Sequence, residues 1–80
     1  MFLYKVGMHD HKPALLDAIK LKGNQTALAK AIGVEQAHIW YWLNKAKKFP
    51  VEIAIAIEQA THGKVPRSRF RPDIFPERKR

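Results

Sequence analysis

Gln25–Asn44 reads QTALAKAIGVEQAHIWYWLN, and this stretch decides the fold. Asn24 stands before it as a good N-cap, since its side chain can accept from a backbone N–H left open in the first helical turn. Ala27, Leu28, Ala31 and Ile32 then recur with helical spacing. Gly33 tolerates a turn conformation that costs other residues energy, so it ends the first helix. After Val34, EQAHIWYWLNKAKK resumes the helical period through Ile39, Trp42 and Leu43. Two short helices joined by a tight glycine turn form a helix-turn-helix, and the small Ala29 lets the second helix close on the first. Trp40, Tyr41 and Trp42 pose the next question, because successive helical residues are turned by about 100° and one core cannot take all three. Trp42 is in register with the apolar set. Trp40 and Tyr41 face out.

Working outward from this stretch, Pro13 suits the first turn of a helix that carries Leu15, Leu16 and Ile19 on one side and stops at Gly23. The segment FPVEIAIAIEQATHG alternates like a strand at Val51, Ile53, Ile55 and Ile57, but Pro50, Gly63 and the alanines at 54, 56 and 60 favour a helix. On that helix Ile53, Ile57 and Ala60 share one face, while Val51 and Ile55 lie on another. Beyond Gly63, KVPRSRFRPDIFPERKR is rich in proline and arginine, and Phe70, Ile74 and Phe75 tack it onto the body. The expectation is an all-α bundle of four to five helices containing a helix-turn-helix. Residues 1–80 form one domain, with 1–11 as an N-terminal arm and 77–80 as a loose basic tail.

The charge narrows the function. Fifteen Lys and Arg against seven Asp and Glu give +8 and a pI near 10.1, which favours a polyanionic partner, most often nucleic acid. The absence of cysteine leaves no disulfide or thiolate metal site and fits a reducing cytoplasm. There is no signal-peptide pattern in MFLYKVGMHDH and no apolar run of the roughly 20 residues that span a bilayer. His9 and His11 flank Asp10 without fixed geometry, and His38 and His62 complete no ligand set, so neither a metal nor a cofactor is expected. With no paired carboxylates, nucleophile elbow or phosphate loop, enzymatic chemistry on a small-molecule substrate is not expected either.

From Ala14 to Pro76 the chain resembles the Cro/CI-like prophage regulators of the YdaS type. The resemblance is carried by the small-residue helix, Gly33-Val34, Trp42-Leu43-Asn44, the Ile-rich segment ending in Glu58-Gln59-Ala60-Thr61-His62-Gly63, and Arg71-Pro72-Asp73. It implies a λ-repressor-like domain, sequence-specific binding to duplex DNA and transcriptional repression, and it extends to toxin–antitoxin modules. Those relatives usually open the recognition helix with Ser or Thr. Here Glu35 opens it, and Trp40 and Tyr41 stand where Ser and Gln are usual, so no operator sequence carries over.

A recognition helix over 35–45 would lie in the major groove and offer its first turns to base edges. With Ile39, Trp42 and Leu43 inward, the candidates for base contact are Gln36, Ala37, Trp40, Tyr41 and Asn44. Gln36 leads, because an amide pairs bidentately with adenine, while Glu35 is more suited to capping. Trp40 and Tyr41 either meet the duplex or, for Trp40, pack under the FLYKV arm or another subunit. Lys45, Lys47 and Lys48, with Asn24, Gln25 and Thr26 at the preceding helix N-terminus, are candidates for phosphate contact. A module of this size usually binds an inverted repeat as a homodimer, and Ile53, Ile55, Ile57, Phe70, Ile74 and Phe75 are the interface candidates, or else complete the core. Two other readings stay open. The chain could be an antitoxin-like interaction module whose basic C-terminal segment holds a partner protein, or an RNA binder that stacks bases on Trp40 and Tyr41.

Overall fold

The computed structural model describes residues 10–76. Helices α1 (Lys12–Lys22), α2 (Gln25–Ile32), α3 (Gln36–Asn44) and α4 (Val51–Ala60) follow in order, and a 3-10 turn at Arg67–Arg69 closes the described chain. Among the described residues there is no strand, and no helix is long and apolar enough to cross a membrane. The Val51–Ile57 alternation is thus helical: Pro50 supplies the extended residue before α4, and the interspersed alanines allow close packing.

Each helix begins or ends for a local reason. Pro13 sits in the first turn of α1, and the Asp10 carboxylate accepts from the Lys12 N–H at 2.9 Å. Asn24 caps α2 by accepting from the Ala27 N–H at 2.8 Å. Gly33 ends α2 in the left-handed conformation, at φ 79° and ψ 31°, and its N–H closes onto the Ala29 carbonyl. Thr61 ends α4, its hydroxyl donating to the Ile57 carbonyl at 2.8 Å and accepting from the Val65 N–H at 3.2 Å.

Every element contributes to one core: Leu15 and Ala18 from α1, Leu28 and Ala29 from α2, Ile39 and Trp42 from α3, Ala54 and Ile57 from α4, then Val65 and Phe70. Phe49 joins them from the loop before α4, stacked on Phe70 at 4.5 Å and tilted against Trp42 at 5.5 Å. Each large side chain so enclosed contributes roughly 1.5–3 kcal/mol relative to exposure.

Several expectations are corrected by this packing. Leu16 is exposed rather than buried beside Leu15, because the inward stripe of α1 runs through Ala14, Leu15 and Ala18. On α2 the inward pair is Leu28 and Ala29, and Ala31 faces solvent. The buried line of α4 passes through Ala54, Ile57 and Thr61, so Ala60 is only half-buried. Among the interface candidates, Ile57 and Phe70 are closed off within the single chain and complete its core. Ile53, Ile55 and Phe75 stay half-buried, and Ile74 is exposed. The expected arm of 1–11 also ends early. His11 is buried, with its Nε2 2.6 Å from the Trp42 carbonyl and its ring 5.0 Å from that of Phe49. The remainder of that arm and the 77–80 tail lie outside the described residues.

Candidate nucleic-acid interface

The outward face of α3 carries Gln36, Ala37, Trp40, Tyr41 and Asn44, all exposed, while Ile39 and Trp42 anchor the opposite side in the core. The spacing of those five residues is one helical stripe. Trp42 is 9% exposed, against 47% for Trp40 and 52% for Tyr41, so the three adjacent aromatics divide between core and surface. FLYKV as a cover for Trp40 falls outside the described residues.

Gln36 is tied to the preceding helix. Its Nε2 donates to Gln25 Oε1 at 2.5 Å, which holds the first residue of α3 against the first residue of α2. Sequence reasoning placed Gln25 among the phosphate contacts but missed it as the partner of Gln36; two amides at adjoining helix starts were the available signal. In the bond as oriented, Gln36 keeps its carbonyl oxygen and one N–H outward, and Gln25 keeps its own NH2. Asn24 and Thr26 are exposed beside this pair. Asn24, however, already spends its side-chain carbonyl on the α2 cap.

Two details at the ends of α3 differ from expectation. Glu35 is the N-cap by backbone geometry, at ψ 155°, but its side chain makes no capping bond. The helix stops at Asn44 rather than 45: the Lys45 and Ala46 N–H groups both return to the Tyr41 carbonyl, and the Asn44 amide donates to the Trp40 carbonyl at 3.0 Å. Asn44 thus turns part of its donor capacity back on its own helix. Lys45, Lys47 and Lys48 are exposed in the loop that follows.

Among the described residues, the arginines of the basic C-terminal segment are engaged by the chain itself. Arg67 pairs with Glu58 and lies over the Phe75 ring at 5.3 Å, Arg69 pairs with Asp17 at 2.8 Å, and Arg71 pairs with Asp73 at 2.9 Å. Arg71 also donates to the Phe49 carbonyl at 3.0 Å. The guanidinium hydrogen bond from Arg67 holds the Glu58 carboxyl below its ordinary range, and Arg71 does the same to Asp73.

Comparison with known proteins agrees with this arrangement. A curated relative, described as "Putative transcriptional regulator YdaS" of Escherichia coli (strain K12), is 37% identical over 57 residues, covering 71% of this chain. The chain spans 58% of that relative's length. Among solved structures, the Cro protein from "putative prophage element Xfaso 1" in Xylella fastidiosa strain Ann-1 superposes with a TM-score of 0.73 at 38% identity, covering 80% of this chain and 97% of that one. The family model described as bacterial toxin YdaS matches residues 15–79, which is most of the sequence, and the chain belongs to that family.

Proposed function

We propose that this chain is a duplex-DNA-binding transcription regulator that reads the major groove with α3. The observation that carries this reading is the Gln25–Gln36 amide pair at the joint of two helix N-termini. With one Gln36 hydrogen committed to Gln25, the remaining N–H and the carbonyl oxygen match the N7 acceptor and N6 donor of adenine. Gln25, Asn24 and Thr26 then stand at a helix start suited to a phosphate, and Lys45, Lys47 and Lys48 offer cations at the other end of α3. Ala37, Trp40 and Tyr41 supply apolar surface for thymine methyls, and the Tyr41 hydroxyl suits a phosphate oxygen. The description of the Escherichia coli relative as a regulator and the likeness to a Cro protein support the same reading.

Two copies on an inverted repeat suit a module that presents only one nine-residue reading helix. Ile53, Ile55, Ile74 and Phe75 are the apolar residues left for such a dimer once Ile57 and Phe70 are assigned to the core. An interaction module acting through its basic C-terminal segment is less well supported, because Arg67, Arg69 and Arg71 already face carboxylates of this chain.

Selection from a random duplex library at about 0.15 M salt, where non-specific attraction is weakened, tests the reading. Enrichment of an inverted repeat is the expected result. Binding that vanishes with salt and enriches no sequence would refute it, and a preference for single-stranded RNA at equal salt would reassign Trp40 and Tyr41 to base stacking.

A further inference from the structure

Arg71-Pro72-Asp73 carries part of the family resemblance, yet neither base reading nor phosphate contact makes use of it. Its geometry is specific. Arg71 Nε and Nη2 donate to the two Asp73 carboxylate oxygens at 3.1 and 2.9 Å, and Nη1 donates to the Phe49 carbonyl at 3.0 Å. The Arg71 side chain is 14% exposed, against 56% for Asp73. One planar fork thus joins the C-terminal segment to the end of the loop between α3 and α4.

That loop carries Lys45, Lys47 and Lys48. At its start, the Ala46 N–H returns to the Tyr41 carbonyl. Across residues 47–49, the Phe49 carbonyl is the one backbone group with a hydrogen bond among the described residues, and Arg71 is its partner. The Phe49 ring is simultaneously fixed in the core against Phe70. The loop is therefore held at two ends, by the close of α3 and by Arg71, with the lysines between.

We propose that the Arg71–Asp73 pair is a positioning clamp for this lysine loop, setting where Lys47 and Lys48 meet the DNA backbone; the inference rests on the duplex-binding reading and adds two residues that touch no DNA. The physical reason is entropy. Fixing a residue's backbone in one conformation costs entropy that binding must otherwise supply. A loop already ordered in the free protein leaves only the lysine side chains to be ordered on binding. Asp73 makes the idea separable from simple electrostatics, because its carboxylate lies within the field of Lys48. By charge alone, removing it should strengthen DNA binding. A clamp demands the reverse.

The test measures binding of a labelled mixed-sequence duplex of about 20 base pairs, two half-sites long, across a salt series. Wild type, Asp73→Asn, Arg71→Lys and Lys47→Ala are compared at a temperature where all are folded, with melting curves and backbone NMR order parameters at residues 47–49 recorded alongside. Asp73 is exposed, so its neutral isostere should keep the fold. The clamp predicts roughly tenfold weaker binding by Asp73→Asn, a salt slope shallower by about one, as for a lost phosphate contact, and lower backbone order parameters in the loop. Arg71→Lys keeps the positive charge but loses the fork, so it should behave like Asp73→Asn. A retained slope there would mean that residue 71 is itself a phosphate ligand, which overturns the clamp. Tighter or unchanged binding by Asp73→Asn overturns it too, as does a lowered melting temperature with slope and order parameters unaltered. Absence of salt-sensitive duplex binding by the wild type sinks the duplex reading itself, whereas normal behaviour of wild type and Lys47→Ala beside an unresponsive Asp73→Asn sinks the clamp alone.

Discussion

One amide hydrogen of Gln36 is engaged by Gln25, so on the proposed reading the group it would offer a base edge is oriented before DNA arrives. Gln36→Ala should relax preference at one base pair by about 1–3 kcal/mol while leaving affinity for mixed duplex little changed. Gln25→Ala should lose part of the same discrimination by freeing the Gln36 rotamer. The double variant should then fall short of the sum, a coupling that a double-mutant cycle in a binding assay detects. Gly33 is a different kind of residue-level constraint. A Cβ there would meet nothing within 4 Å, but the φ of 79° is one that side chains rarely adopt. Gly33→Ala should accordingly cost about 1 kcal/mol through conformation alone, read as a drop of roughly 4–8 °C in melting temperature.

Between residues and the whole stand the elements, and α2 shows how one can be set by its ends. Its cap is Asn24, and Asn24→Ala should destabilise the protein by about 1 kcal/mol in denaturant titration, with the midpoint lowered and the m-value unchanged. The C-terminal segment behaves as an element despite having only a short 3-10 turn, because Val65 and Phe70 are 1% exposed. A chain ending at Lys64 should therefore lose cooperative unfolding rather than simply lose a partner-binding tail. Retention of a sharp transition in that truncation would show that the segment is an appendage after all. The helical pattern of α2 and α3 was legible because their apolar residues repeat every three or four positions, whereas α4, whose Val51–Ile57 run alternates, was legible only through Pro50, Gly63 and its alanines. Phe49 was not, since a lone aromatic before a proline in a lysine-rich loop has no period to be read from.

At the scale of the molecule, charge is distributed unevenly among the described residues. Arg67, Arg69 and Arg71 are matched by Glu58, Asp17 and Asp73, while the exposed Lys45, Lys47 and Lys48 cluster after α3. The pairing has a pH signature. The Arg67 hydrogen bond depresses the Glu58 pKa in the folded state below the value of about 4.3 expected in the unfolded chain. A depressed carboxyl contributes stability above the unfolded value and loses it as pH falls through the folded one. Wild type should thus keep its melting temperature from neutrality to about pH 5 and lose it below. Glu58→Gln should start lower at pH 7, and its deficit against wild type should shrink in acid. A deficit independent of pH would show that the carboxylate's charge contributes nothing.

By itself the sequence determined the class of fold, the helix-turn-helix at 25–44, the family and the basic character, because periodicity, caps and glycine turns are local properties that residue order alone expresses. Trp42 inward with Trp40 and Tyr41 outward followed from the same periodicity. Only the tertiary structure decided which apolar residues are spare. Ile57 and Phe70 stood beside Ile55 and Ile74 as interface candidates by sequence, yet the first two are enclosed by neighbours distant along the chain. It also decided how the C-terminal arginines are used, since Asp17 and Glu58 reach Arg69 and Arg67 only once α1, α4 and the last segment have packed. His11 and Arg71 make the same point: each is held by a backbone carbonyl, of Trp42 and Phe49, and every residue has such a carbonyl. A composition can count charges and mark an amphipathic face, but the partner of a buried hydrogen bond is chosen by where the chain returns.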